Sequence, residues 1–448
     1  MHCKEKNIDM LNGSLSRNII LFTLPIALSS MFQQLFNAAD TAIAGFFTNP
    51  SSLAAVGTNG EIIALIISLS SGLSVGVNVL IAHQIGLKKT DSIASTVQTS
   101  LSLAVIIGFL GLFVGQFISV PLLSLIKTPS DILDTSVLYL KIYFCGYPFL
   151  MLYNFGAAIL RAYGDSRYPF IALTISGIVN VFLNIIFVVL FKMGVAGIAV
   201  ATVLSTMLSA VLIIYRLKTD TSVFHLSFHK FEIDPKIAMT ILKIGIPSAI
   251  QGAVFCFANI FVQASVNSFG AYAIAGSTIA MNFEYFAYYI ITAFGQTATT
   301  FISQNHAAGQ TDRCRKILWI CMVFSVISSM VIIGPLVIFR TFFAGFFSAD
   351  PKVIQLACLR IMCILLLEPL CSLYEIPAGA LRGAGHSLYP AVATIIGTCC
   401  FRIIWICTMF KQYNSLKILY IAFPISWFLT TLLIAIGFIV IRQKKKPL

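Results

Sequence analysis

Gln33, Asn37 and Asp40 fall at i, i+4 and i+7 of one long, mostly apolar run, so on a helix they share a face while Phe36, Ile43 and Phe46 point elsewhere. A carboxylate flanked by amides offers oxygens to a proton or a small cation. Asn180 and Asn184, four apart on a later run, put two more amides on one helical face, with Asn154 and Thr202 on the runs to either side. Packed together, these residues would make a single polar pocket around Asp40. Glu284, Glu368 and Glu375 form a second set, the last two separated by two helical turns and therefore on one face. Either this second set holds a cation or a proton, or it neutralises Arg360, Arg382 and Arg402.

The elements that must position these groups are membrane helices. In 448 residues, 58% are hydrophobic and only 10% charged, which is too little polar surface to coat a soluble globule. About twelve mostly apolar runs are long enough to cross a hydrocarbon core roughly 30 Å thick. They cover approximately residues 18–44, 53–81, 93–126, 132–159, 168–191 and 194–216, then 238–268, 271–302, 315–343, 352–380, 389–411 and 416–441. A charge at mid-bilayer costs about 2.5–3.5 kcal/mol on insertion scales, so each acid inside a run needs a cavity or a partner. Asp40 either lines such a cavity or sits wetted near the end of its helix; Asn184 either serves the pocket or ties helices together.

The net charge of +13 comes from lysines and arginines spread over short polar gaps, not gathered in a stripe, and no nucleic-acid partner is expected. Placing both termini in the cytoplasm puts most of these bases inside, as the positive-inside rule requires. No cleaved leader is evident in Met1 to Arg17. The 11 cysteines lack metal-ligand spacing and read as small buried hydrophobes. Phosphate-loop, nucleophile-elbow and HExxH patterns are absent from the sequence, so no hydrolytic enzyme is expected and transport energy must come from an ion gradient or a partner.

The chain is written twice. Leu160-Arg161-Ala162-Tyr163-Gly164 leading to Tyr168-Pro169 recurs as Leu381-Arg382-Gly383-Ala384-Gly385 leading to Tyr389-Pro390, about 221 residues later, and Pro148 pairs with Pro369 at that offset. Two six-helix halves follow, residues 1–215 and 238–448, joined by a polar cytoplasmic linker at 216–237 that contains His225 and His229. With an even number of spans per half, the two halves have the same orientation in the membrane. Pro25 and Pro247 fall inside the opening helix of each half, as hinges or as static kinks.

Leu24-Pro25, Asp40 followed by Gly45, Leu53-Ala54-Ala55-Val56-Gly57, Gly86, the duplicated Leu-Arg-x-x-Gly-x-x-x-Tyr-Pro and Asn180-Val181-Phe182-Leu183-Asn184, taken in this order, resemble the multidrug and toxic compound extrusion (MATE) family of cation-coupled exporters. The resemblance implies an all-α fold of two six-helix lobes arranged as a V. It also implies antiport of amphipathic organic cations against protons or sodium, and no cofactor beyond the coupling ion. A monomer in a bacterial cell membrane is expected. Site residues carried over are Asp40, Asn180, Asn184 and Thr202. Phe255 and Cys371 stand where the NorM branch places acids of a sodium site, whereas Glu284 and Glu375 look like the DinF-like and Gram-positive members, which makes proton coupling the leading expectation. Two other classes remain: a flippase of lipid-linked oligosaccharide, which would line its cavity with arginine and lysine, and an ion channel or receptor.

Overall fold

Pro25 and Pro247 lie inside unbroken helices, α1 (Leu15–Phe47) and α8 (Pro235–Asn267), in the computed structural model, which describes residues 7–48, 50–126, 128–219 and 233–444. Between these two, α2 (Pro50–Gly86), α3 (Thr90–Leu125), α4 (Ser130–Cys145), α5 (Tyr147–Ala162), α6 (Arg167–Asn184) and α7 (Gly194–Thr219) complete the first copy. The second continues through α9 (Ala271–Ala307), α10 (Thr311–Ile338), α11 (Arg340–Gly345), α12 (Pro351–Cys363) and α13 (Ser372–Gly383). It closes with α14 (Leu388–Thr394), α15 (Phe401–Trp405), α16 (Lys411–Tyr413) and α17 (Leu416–Lys444). Residues 220–232, with His225, His229 and most of the expected linker, lie outside the described residues.

Ten helical stretches among the described residues are long and apolar enough to cross a membrane, and α4 with α5, bent by 45° to one another, make an eleventh. The twelfth expected span is α9, as long as the others at 37 residues but enriched in Tyr, Thr and Gln. The chain is therefore an integral membrane protein with the predicted element order.

The duplication extends to local distortions. Pro148 sits in the first turn of α5, just past the α4–α5 bend, and its counterpart Pro369 sits in a 3-10 stretch, Leu365–Cys371, between α12 and α13. A proline ring displaces the carbonyl four residues back, so both copies break the same span at the same place. A π-helical segment, Ile185–Leu190, follows α6, and Ile406–Phe410 occupies the same repeat position after α15.

The repeated motif is a structural fastener. Its glycines, Gly164 and Gly385, have φ of +91° and +86°, a conformation that a side chain resists. Its tyrosines each donate to a carbonyl 44 residues ahead, Tyr168 to Leu212 at 3.2 Å and Tyr389 to Leu433 at 2.7 Å, tying the fifth span of each copy to its sixth.

Two compact units divide the fold, and they follow the halves except at the opening helices. One unit contains Leu28–Gly245 together with the residues up to Ile8; the other contains Asp9–Ala27 and Ile246–Leu448. Each crossover lies within two residues of the helix proline. In the second unit the start of α1 packs on α9: Thr23 shares a 2.8 Å hydroxyl hydrogen bond with Thr297, and Phe22 meets Phe301 edge-on at 5.4 Å. In the first unit the start of α8 packs on α2, where Gly76, the repeat position of Thr297, leaves room for the Ile241 carbonyl.

Asp9, near the start of the described N-terminal segment, accepts from the backbone N–H groups of Leu11 and Asn12. Its partial burial works against ionisation, but hydrogen bonds from Asn12 and Leu11 and the nearby Arg313 guanidinium hold its carboxyl below the usual range. That contribution is present at neutral pH and is lost as the pH falls through this lowered value.

The two motif glycines should respond differently to alanine. At Gly385 a Cβ meets nothing within 4 Å and costs only backbone strain, about 1 kcal/mol, whereas at Gly164 it also collides with the Ile8 backbone. Thermal melting in detergent should show Gly164→Ala losing at least twice what Gly385→Ala loses.

Candidate functional site

Asp40 sits one helical turn below the end of the buried face of α1, beside Ile43 and Ala44, and is 8% exposed. Gly177 of α6 lets the two helices close, since a Cβ there would enter the Phe36 ring. This approach brings the α6 amides to the carboxylate. Asn184 Nδ2 donates to Asp40 Oδ1 at 2.6 Å and also reaches Asn180 Oδ1 at 3.2 Å. Thr202 of α7 donates to the Ile198 carbonyl at 2.9 Å, with Asp40 Oδ2 at the longer distance of 3.5 Å. Tyr139 of α4 is buried in the same apolar cluster as Ile43 and Ala44 of α1.

Two features make this cluster chemically poised. No lysine, arginine or histidine among the described residues pairs with Asp40, and Asn184 Oδ1 is buried without a donor. One carboxylate and one free amide oxygen can thus accept a proton or a small cation, which would offset the cost of leaving both unmatched. Asn154 and Asn37 stand apart from it. Asn154 turns back to donate to Leu150 O at 2.9 Å in its own helix, and Asn37 is on the exposed face of α1.

In the second unit the acids are mostly neutralised. Glu284 of α9 receives a bidentate pair from Arg360 of α12, Nε and Nη2 each at 2.8 Å, while Arg360 Nη1 donates to Ser277 at 2.6 Å. Glu375 accepts from Arg382 at 3.0 Å, two turns along the same helix, and Gly295 leaves space for its side chain. Of the two uses open to these acids, the geometry is that of partners to buried arginines. Glu368 is 4% exposed, and its Oε2 has no donor among the described residues.

Arg402 has no carboxylate partner among the described residues. At 1% exposure it donates from Nε to Ser426 at 3.1 Å and lies 4.0 Å from the centroid of Phe423, with Phe255 at 5.8 Å. Cation–π contact compensates part of its burial. A π-helical segment, Ile395–Cys400, lies just before it and another, Ile406–Phe410, shortly after, a distortion that recurs at functional sites. Phe255 thus packs against arginine and, in parallel, against Tyr288 at 6.3 Å.

A family model for MatE matches residues 25–186 and again residues 247–408, so each match opens on one of the two helix prolines. The chain belongs to the MatE family. A MatE relative, the probable multidrug resistance protein YoeA of Bacillus subtilis, is 25% identical over 449 residues, covering 97% of this chain and 96% of its own. The probable multidrug resistance protein NorM of Thermotoga maritima is 26% identical over 397 residues, covering 85% and 82%. The MatE fold is seen in an outward-facing multidrug resistance transporter of the MOP superfamily, matched with a TM-score of 0.88 at 21% identity over 99% of this chain and 98% of that one. It is also seen in a MOP superfamily transporter from Pyrococcus furiosus described by the reverse polarity of its binding pocket, with a TM-score of 0.89 at 20% identity over 99% and 98%. The MatE chain is a multi-pass membrane transporter, not an enzyme.

The paired and unpaired acids give opposite expectations for stability. Arg360→Met strands a buried carboxylate and should cost about 3–5 kcal/mol, whereas the double change Arg360→Met with Glu284→Met should recover most of that loss. Melting temperatures of the two variants in detergent check this.

Proposed function

We propose that this MatE transporter is an antiporter that exports amphipathic organic cations in exchange for inward-moving protons, with Asp40 as the exchange site and both termini in the cytoplasm. The observation that carries the reading is the buried, ion-unpaired Asp40 carboxylate facing the Asn184 amide. A proton on Asp40 removes the negative charge that favours a cation, so proton and cargo compete. Linkage then requires each to weaken binding of the other by the same factor.

The pairing of Glu284 and Glu375 with arginines moves the coupling role away from them and towards Asp40. Asn180, Asn184 and Thr202 hold the carboxylate and offer oxygens to the exchanging ion. Asn154 keeps, at most, a role in lining. Pro25 and Pro247 act as hinges, since each lies at the point where its helix passes from one compact unit into the other. Related proteins named as multidrug export proteins, MepA of Staphylococcus haemolyticus among them, support drug-like cargo.

Purified protein in liposomes should move ethidium against its own gradient when a pH gradient is imposed, and Asp40→Asn should abolish that movement. Movement driven only by a sodium gradient, or undiminished pH-driven movement in the variant, would sink the proton reading. Glu284→Gln, if it folds, should retain most of the wild-type rate. Failure under both gradients would favour the flippase alternative, tested with a labelled lipid-linked sugar.

A further inference from the structure

Glu61 of α2 is a second acid of the first unit's membrane helices, and the cluster at Asp40 makes no use of it. It is exposed, and among the described residues none hydrogen-bonds to its carboxylate or pairs with its charge. A membrane span rarely spends a carboxylate without a partner or an aqueous surface.

The faces of the unit differ in what they expose. On α3 the exposed side chains are large and apolar, among them Ile106, Phe109, Leu110, Phe113 and Phe117, as suits lipid. Around Glu61 the exposed positions of α2 are Leu53, Ala54, Gly57, Gly60 and Ala64, small but for the leucine at the far end. A Cβ at Gly57 or Gly60 would meet no described atom within 4 Å, so the carboxylate stands beside open space. This face of α2 thus presents small residues and a carboxylate where α3 presents large apolar side chains.

Depth along the helices gives Glu61 a companion. Gly45 and Leu53 meet where α1 and α2 join, a Cβ on Gly45 lying 3.7 Å from the leucine side chain. From that contact Asn37 is eight residues back along α1 and Glu61 eight residues on along α2, about 12 Å in each case at 1.5 Å per residue. Asn37 is exposed as well, one turn deeper than buried Asp40. In the second copy, the position of Glu61 is taken by Asn282, whose amide is turned back to the Thr278 carbonyl at 3.1 Å. Only the first copy carries a charge there.

We propose that Glu61 is the carboxylate that receives the cationic group of the cargo, at the level of Asn37, while Asp40 handles the exchanging proton from its buried position. This deepens the antiport reading and rests on its cationic cargo. The two acids divide the work by solvation. The exposed one attracts the organic cation, and the buried one supplies the negative charge that favours that cation only once its proton has left.

Equilibrium dialysis of labelled tetraphenylphosphonium against the purified full chain in detergent tests the division. Glu61→Gln should bind at least tenfold more weakly than wild type, Glu61→Asp should stay within about threefold, and both should melt within a few degrees of wild type. Wild-type affinity in Glu61→Gln overturns the proposal and leaves the antiport reading standing. Equal loss in both variants with lowered melting temperatures also overturns it, because it assigns Glu61 to folding. Failure of the wild type to bind the probe removes the cationic cargo itself, before any substitution is made.

Discussion

The 2.6 Å hydrogen bond from Asn184 to Asp40 joins α1 to α6 at a buried carboxylate that has no counter-ion among the described residues. Such a group is tolerated in a membrane helix only where its desolvation is offset, by amide donors, by protonation or by a cation. Much of the first unit can be understood as the support for that one contact. Gly177 lets α1 approach, the i, i+4 spacing lets Asn180 hold the Asn184 amide that meets the carboxylate, and α7 adds the Thr202 hydroxyl at the margin.

The two copies have kept their scaffold and exchanged their chemistry. The motif glycines, the tyrosine fasteners and the broken fourth span recur at one offset, because each solves a backbone problem that both copies share. The polar interiors do not recur. Where the first unit holds a carboxylate among amides, the second holds arginines, two of them neutralised by Glu284 and Glu375 and the third, Arg402, lodged against Phe423. Buried ion pairs gain little net stability over apolar packing of the same shape, but removing one partner is costly. The second unit thus ties Glu284 and Glu375 to arginines and leaves Glu368 unpaired, while the first places its unpaired carboxylate, Asp40, among amides.

Much of this was legible from residue types. Apolar run length located the ten long apolar spans and the bent α4–α5 pair, with α9 a helix of span length enriched in Tyr, Thr and Gln, and the repeat located both helix prolines and the fastener motif. The i, i+4 asparagines pointed to Asn184, the partner of Asp40, and to Asn180 behind it, because helical periodicity alone puts them on one face. Which acids were neutralised was not legible: Glu284 lies 76 residues from Arg360, and a pairing at that separation depends on how α9 and α12 pack. Asn154 looked equivalent to the other amides, yet a side chain four residues from a carbonyl of its own helix can bond locally, and it did. Glu61 carried a signal that went unused, an acid in an apolar run, and only its exposure beside two glycines distinguishes it from a capping residue. The exchange of helix starts between units is a tertiary fact with no periodic signature beyond the prolines themselves.

The central claim is that one group, Asp40, binds either a proton or cedes its charge to a cation. Proton release tests it without any transport assay. Tetraphenylphosphonium is added to purified protein in weakly buffered detergent, and the pH is followed with a soluble indicator. The account predicts up to one proton released per cation bound by the wild type, and none from Asp40→Asn at matched occupancy. Binding without proton release in the wild type, or equal release from the variant, would contradict it.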